Sequence, residues 1–282
     1  MPERPGALRL LAGQIDYANK STLRNPLSAF FTLVFPLIFL LIFNLLNTGN
    51  TVGSPGGTVS FAQFFTPGIA AFAIITACYT NLAISTVLAR ETGVLKRVRG
   101  TPLPPLYFLL GRITSCVLFA FGSVVLMVGV GVLLYDVQVI WEKLPAAVVS
   151  VLAGCFCFCA LGLAVTTIVP SEEAAPPVVN VTVFPILFIS GIFFPIDNVA
   201  QWVRTVAAVF PIQRLAHALQ TAFLPGEGSG FVWADLAVLA AWGVGGLVVA
   251  ARFFRWENKV DGSPRRRRRG GGPLAAPTAA RP

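Results

Sequence analysis

Between two long apolar runs stands a short basic island, Arg90-Glu91-Thr92-Gly93-Val94-Leu95-Lys96-Arg97-Val98-Arg99-Gly100-Thr101-Pro102. Read as one or two helical turns, it puts Lys96, Arg97 and Arg99 on a polar side and Val94, Leu95 and Val98 on the other, with Gly100 and Pro102 ending the segment. Such an amphipathic knuckle is a docking element. The aliphatic side can seat in a groove, while the cations add electrostatic fit or touch lipid, and Glu91 suits the positive dipole end of the helix.

Other candidate chemistry is sparse. Cys155, Cys157 and Cys159 stand at i, i+2 and i+4 of an apolar helix, so the outer two share a face and the middle one points elsewhere. With one histidine in the chain and apolar neighbours, they read as small buried hydrophobes rather than metal ligands. Cys78 and Cys116 lie in or near apolar spans, which argues against a structural disulfide. His217 reads as a solvated or hydrogen-bonded surface residue, and Glu172 and Glu173 occupy a turn. No nucleophile has a positioned base, and no Gly-x-x-x-x-Gly-Lys-Ser/Thr loop occurs, so the chain has neither a catalytic site nor a phosphate cradle of its own.

The elements carrying these residues are membrane helices. Hydrophobic residues make up 55% of the 282 and charged ones 12%, against about 25% charged in soluble domains. Spans of the roughly 20 apolar residues that a bilayer requires are read at Ala29 to Leu46, Thr66 to Ala89, Ile113 to Leu134, Pro145 to Val169, Pro177 to Phe194 and Ala234 to Ala251. The second opens on Thr66-Pro67 as N-cap and first helical residue. Arg112 can snorkel from the end of the third.

Charge orients the six spans. The N-terminal segment, the loop between spans two and three and the tail from Arg252 hold eighteen of the 21 Lys and Arg, while the opposite side has Lys143, Arg204 and Arg214. The positive-inside bias therefore puts both termini and the knuckle in the cytoplasm of a cell-membrane protein. The net charge of +9 belongs to residues flanking apolar spans, so anionic lipid, not nucleic acid, is the partner it implies. The first span reads as retained rather than cleaved, since Asn47-Thr48-Gly49-Asn50 offers no small-x-small site.

Three segments complete the reading. Residues 1–28 hold an amphipathic helix with Leu8, Leu11 and Ile15 against Arg9, Gln14 and Asp16, suited to the cytoplasmic membrane surface. Residues 195–224 form two proline-broken amphipathic helices on the outer side, with Gln201, Arg204, Gln213, Arg214, His217 and Gln220 on the polar faces. They fit either a re-entrant hairpin or a pair lying flat on the surface, since neither crosses. Residues 255–282 are a disordered basic tail, with Arg265 to Arg269 consecutive.

Arg90-Glu91 to Arg97 with Thr101-Pro102, and Phe188-Ile189-Ser190-Gly191-Ile192-Phe193-Phe194-Pro195, resemble two stretches of one family. It is the permease subunit of type 2 ATP-binding-cassette exporters, the daunorubicin-resistance-like drug and lipid exporters. The first resembles that family's coupling segment, here 90–105, and the second its fifth-helix ending.

The resemblance extends from the N-terminal helix to the sixth span, and it implies an all-α integral membrane fold with residues 29–254 as a six-span domain. It implies that two permeases, identical or paralogous, form a pathway for a small amphipathic substrate. ATP and Mg would be bound by a separate ATPase, to which Glu91, Val94, Leu95, Lys96, Arg97, Val98 and Arg99 would couple. In the family the second and fifth spans border the pathway, which makes Tyr79, Asn81, Asn180, Thr182 and Phe184 its candidates; helix packing is the alternative role for each. Polysaccharide or glycolipid export is the alternative within the family. A membrane-embedded enzyme would need intramembrane His, Asp or Glu clusters that this sequence lacks, and a non-transporting scaffold is the remaining class.

Overall fold

The computed structural model describes residues 7–24, 26, 30–54, 57–99, 105–193, 200–226 and 228–254. The basic tail, the Thr101-Pro102 pair and the opening of the outer hairpin at 195–199 lie outside the described residues, as do the side chains of Lys96, Val98 and Arg99.

The chain is helical almost throughout. An amphipathic α1 (Ala7–Arg24) precedes α2 (Phe30–Leu46), whose first turn is π-helical. A two-stranded antiparallel hairpin, β1 (Thr51–Ser54) and β2 (Gly57–Ser60), leads into the 31-residue α3 (Phe61–Glu91). The knuckle is α4 (Val94–Arg99), followed by α5 (Pro105–Tyr135), α6 (Leu144–Val165) and α7 (Ala175–Ile189). Two short helices, α8 (Gln201–Val209) and α9 (Pro211–Phe223), come before α10 (Trp233–Phe253).

All six apolar runs are helices. Four stretches, within α3, α5, α6 with its preceding turn, and α10, are long and apolar enough to cross a bilayer. The helices α2 and α7, at 17 and 15 residues, reach about 25 and 22 Å at 1.5 Å per residue, short of a hydrocarbon slab of about 30 Å.

At the centre lies α3, buried at every residue from Phe61 to Ile75. It begins earlier than its Thr66-Pro67 pair suggests. Ser60 is the true N-cap, its hydroxyl accepting from the Gln63 N–H at 3.2 Å, and Pro67 sits inside the helix. The Gln63 side chain donates to the carbonyls of Gln138 and Phe223 and accepts from the Gln138 N–H at 2.7 Å, fixing this end of α3 to the loop after α5 and to the last residue of α9.

Small residues bring the helices close, as they must where lipid removes the hydrophobic drive between them. The most extensive pairing, α6 with α10, is made at Gly243 and Gly246; a Cβ on Gly246 would stand 3.0 Å from the backbone of Ala160 and Leu161. A Cβ on Gly162 would stand 2.9 Å from the Cys78 carbonyl of α3. At positions four apart, the rings of Phe31, Phe35, Phe39 and Phe43 follow one another along α2 at 4.8–5.6 Å, and Phe39 and Phe43 also meet Phe193 beyond α7.

Several expectations need correction. The second outer helix is buried on much of its polar side as well as its apolar stripe: α9 is enclosed by α3, α6 and α10, with Gln213 and Gln220 buried and Gln220 donating to the Gly191 carbonyl at 3.1 Å, while His217 stays exposed. Glutamine amides bury where backbone carbonyls receive them. The first outer helix, α8, leaves Trp202 71% exposed. Arg112 lies inside α5 and does not snorkel clear, because α5 starts well before Ile113: its guanidinium stacks over Phe108 at 5.0 Å, with Nη1 buried and unpartnered among the described residues. Lys143, which charge counting puts on the outer side, is buried and donates to the Leu224 carbonyl at 2.8 Å. Apart from these corrections, the amphipathic α1 packs along the start of α5, where Gln14 fits against Gly111 and Ser115 donates to Asn19.

Candidate coupling and pathway site

The knuckle is built by the way α3 ends. The Thr92 N–H closes on the Leu88 carbonyl at 2.9 Å and the Gly93 N–H on the Arg90 carbonyl at 3.3 Å. Gly93 then takes φ +70°, a left-handed conformation that stops the helix without a Cβ penalty. The chain turns directly into α4, with the Arg97 N–H returning to the Gly93 carbonyl at 3.0 Å.

What α4 presents differs from the sequence expectation. Leu95 is fully buried against Ala89 of α3 and Phe108 of α5, with Val94, Leu109 and Phe254 around them. Its side chain is thus a peg holding the knuckle to its own bundle. The reason is elementary: a six-residue helix has too little hydrogen bonding to hold its angle alone, and its best apolar residue is used for that. Arg97 and Glu91 are exposed and Val94 is half-buried.

Arg90 is the larger surprise. Grouped with the loop cations by sequence, it is 8% exposed. Its guanidinium forks to the Thr166 carbonyl at 3.0 Å and the Val169 carbonyl at 2.6 Å, both just past the end of α6. A cation there completes carbonyls that the helix leaves open and sits at the negative end of its dipole.

Farther along α3, the hydrogen-bond ladder widens into a π-helical stretch at Thr76–Asn81, which packs on the π-helical turn of α2. Such bulges recur at functional positions. From it Tyr79, buried, reaches across to α7, its Oη 2.7 Å from Thr182 Oγ1. The Thr182 hydroxyl is 2.8 Å from the Val179 carbonyl, so the phenol is the donor between the helices. Two of the five pathway candidates are therefore brought together. Asn81 is buried, Asn180 half-buried and Phe184 exposed, and none of these joins that contact.

One polar cluster was not anticipated from sequence. Asp235, at the head of α10, has no solvent exposure, and its carboxylate holds Arg214 Nη1 at 2.9 Å and His217 Nδ1 at 2.6 Å, both from α9. Arg214 also donates to the Ala208 carbonyl of α8 at 2.6 Å, joining three elements. The available signal was the three-residue spacing of Arg214 and His217, which puts both on one face of a helix. Cys78 of α3 lies beside Cys155 and Cys159, while Cys157 faces α10 at Gly243; all are free thiols. Among the described residues no group of three or more His, Cys, Asp or Glu is arranged to hold a metal ion.

Comparison with known proteins agrees with this architecture. Residues 15–224 match the family described as ABC-2 type transporter. Over 178 residues the chain is 18% identical to the protein named "Probable multidrug ABC transporter permease YbhR" of Escherichia coli strain K12, a stretch covering 63% of this chain and 48% of that protein. The same values hold for the protein of that name in Escherichia coli O157:H7. The chain thus spans about half the length of the curated relatives it matches.

Proposed function

Because the chain belongs to the ABC-2 type transporter family, we propose that it is the membrane permease of an ATP-driven exporter, with both termini cytoplasmic and a separate ATPase docked on the knuckle. The observation that carries this reading is the mounting of α4: Leu95 pegs it to α3 and α5 while Arg97 and Val94 remain outward. A partner pressing on that outer face would move the ends of both long helices. ATP and Mg belong to the ATPase, since no phosphate-cradling loop occurs in this sequence.

The substrate class is our reading of the candidate pathway residues. Tyr79 and Thr182 carry hydroxyls and Phe184 is an exposed ring on the same helix as Thr182, and no charged residue stands among them, which suits an uncharged or amphipathic compound better than an ion. All six apolar helices are taken to span, and two permeases enclose the pathway.

The test is co-expression with a cognate ATP-binding-cassette ATPase. The reading expects the two to co-purify and inverted vesicles to take up ethidium when ATP is added. Failure of the permease to retain the ATPase would contradict it.

A further inference from the structure

Arg90 links two parts of the molecule that are distant in sequence. Its helix ends at Glu91, and after the Gly93 turn the knuckle begins. Its guanidinium holds the carbonyls of Thr166 and Val169, where the chain leaves α6 and turns toward α7. Beside it Val87 of α3 packs against Val169 and Ala175, the first residue of α7. Two turns into α7, Thr182 meets Tyr79 and so returns to α3. The inner half of α3, the α6–α7 turn and the first half of α7 therefore form a closed frame, pinned at one end by Arg90 and at the other by Tyr79.

We propose that Arg90 is a positioning residue that makes this frame move as one body with the knuckle. The inference rests on the permease reading and deepens it by naming the route from α4 to the pathway helix. The chemistry favours transmission over mere filling. A planar guanidinium with two carbonyl acceptors fixes direction as well as distance, which a single contact cannot do. The π-helical stretch at Thr76–Asn81 lies at the far edge of the frame, where a change of ladder can absorb the motion of the inner half against the buried outer half. Without the fork, a push on α4 would reach α3 and α5 through Leu95, while the α6–α7 turn would follow α3 only through the undirected packing of Val87.

The experiment places spin labels at introduced cysteines replacing Thr92 and Glu172, both exposed, one at each end of the Arg90 link. In the permease–ATPase complex, the distance between them should be the same without nucleotide and with ATP trapped. In Arg90→Lys, which keeps the charge but loses the fork, the ATPase should still co-purify and basal hydrolysis persist. The Thr92–Glu172 distance should then change on ATP binding, and ATP-driven ethidium uptake should fall about tenfold.

A nucleotide-dependent distance in the parent complex would overturn the proposal. So would an Arg90→Lys complex whose distance stays constant and whose uptake per assembled complex is unchanged, the result expected of a purely structural arginine. If Arg90→Lys does not accumulate, the parent measurement alone decides. A parent chain that binds no ATPase overturns the permease reading itself, and that failure is visible before any substitution at Arg90.

Discussion

Arg214 reaches from the enclosed helix α9 to Asp235 at the head of α10, Nη1 to Oδ1 at 2.9 Å, and the carboxylate it meets has no solvent exposure. His217 occupies the other oxygen at 2.6 Å. Removing the carboxylate would leave a partly buried guanidinium without its counter-ion. Asp235→Ala is expected to cost about 3–5 kcal/mol of stability, as for other broken buried pairs. Asp235→Asn, which keeps hydrogen bonding, should cost less. Thermal unfolding of the detergent-purified protein checks the order, and equal mild effects from both would mean that the cluster does not hold α9 in place.

The close approach of α6 and α10 predicts a contrast between neighbouring glycines. Gly246→Ala would drive a methyl to 3.0 Å from the backbone of Ala160 and Leu161, which cannot rotate away, while Gly245 has nothing within 4 Å. Overpacking of this kind costs about 1–3 kcal/mol. Gly245→Ala should be neutral or slightly stabilising, because alanine is the better helix former. Unfolding midpoints of the two variants, measured side by side, give the comparison.

The contact between Tyr79 and Thr182 should be visible as an interaction energy. Tyr79→Phe and Thr182→Ala each remove the hydrogen bond that joins α3 to α7 at this point, so a double-mutant cycle should give about 0.5–1.5 kcal/mol of coupling. A cycle that closes to zero would reduce both to independent packing residues. Their effect on the relative uptake of two dyes of different polarity is the functional counterpart.

Leu95 and Arg97 separate fold from docking. Leu95 has no exposure and contacts Ala89 and Phe108, so Leu95→Asp should destabilise the permease itself by several kcal/mol, the cost of burying an unpaired charge. Arg97→Glu, at an exposed position, should leave the unfolding midpoint nearly unchanged and weaken ATPase retention. Size-exclusion profiles of the permease alone, followed by co-purification, distinguish the two effects.

Most of the helical plan was legible because lipid demands long apolar runs, and each run is a helix. What sequence could not supply is what long-range contact decides. The Thr66-Pro67 pair is a reasonable N-cap by local chemistry, yet the β-hairpin delivers the chain to the N-cap Ser60 six residues earlier. Arg90 and Arg112 look like loop cations until α3 and α5 are seen to run through them. An amphipathic stripe such as that of α9 says that its two faces differ, but the polar face can be met by water or by protein groups, and here the Gly191 carbonyl and the Asp235 carboxylate receive much of it. The pairing of Tyr79 with Thr182 crosses 103 residues of sequence, and nothing local to either residue predicts it.

The claim that α4 is where the ATPase pushes is tested most directly by photo-cross-linking. A benzophenone placed at an introduced cysteine replacing Arg97 probes the knuckle, and one replacing Trp141, 77% exposed in the loop between α5 and α6, probes the opposite end. The five native thiols are all buried, so labelling should favour the introduced ones. The account predicts a cross-link to the ATPase from position 97 and none from 141. A cross-link from 141, or none from 97 in a complex that retains its ATPase, would contradict it.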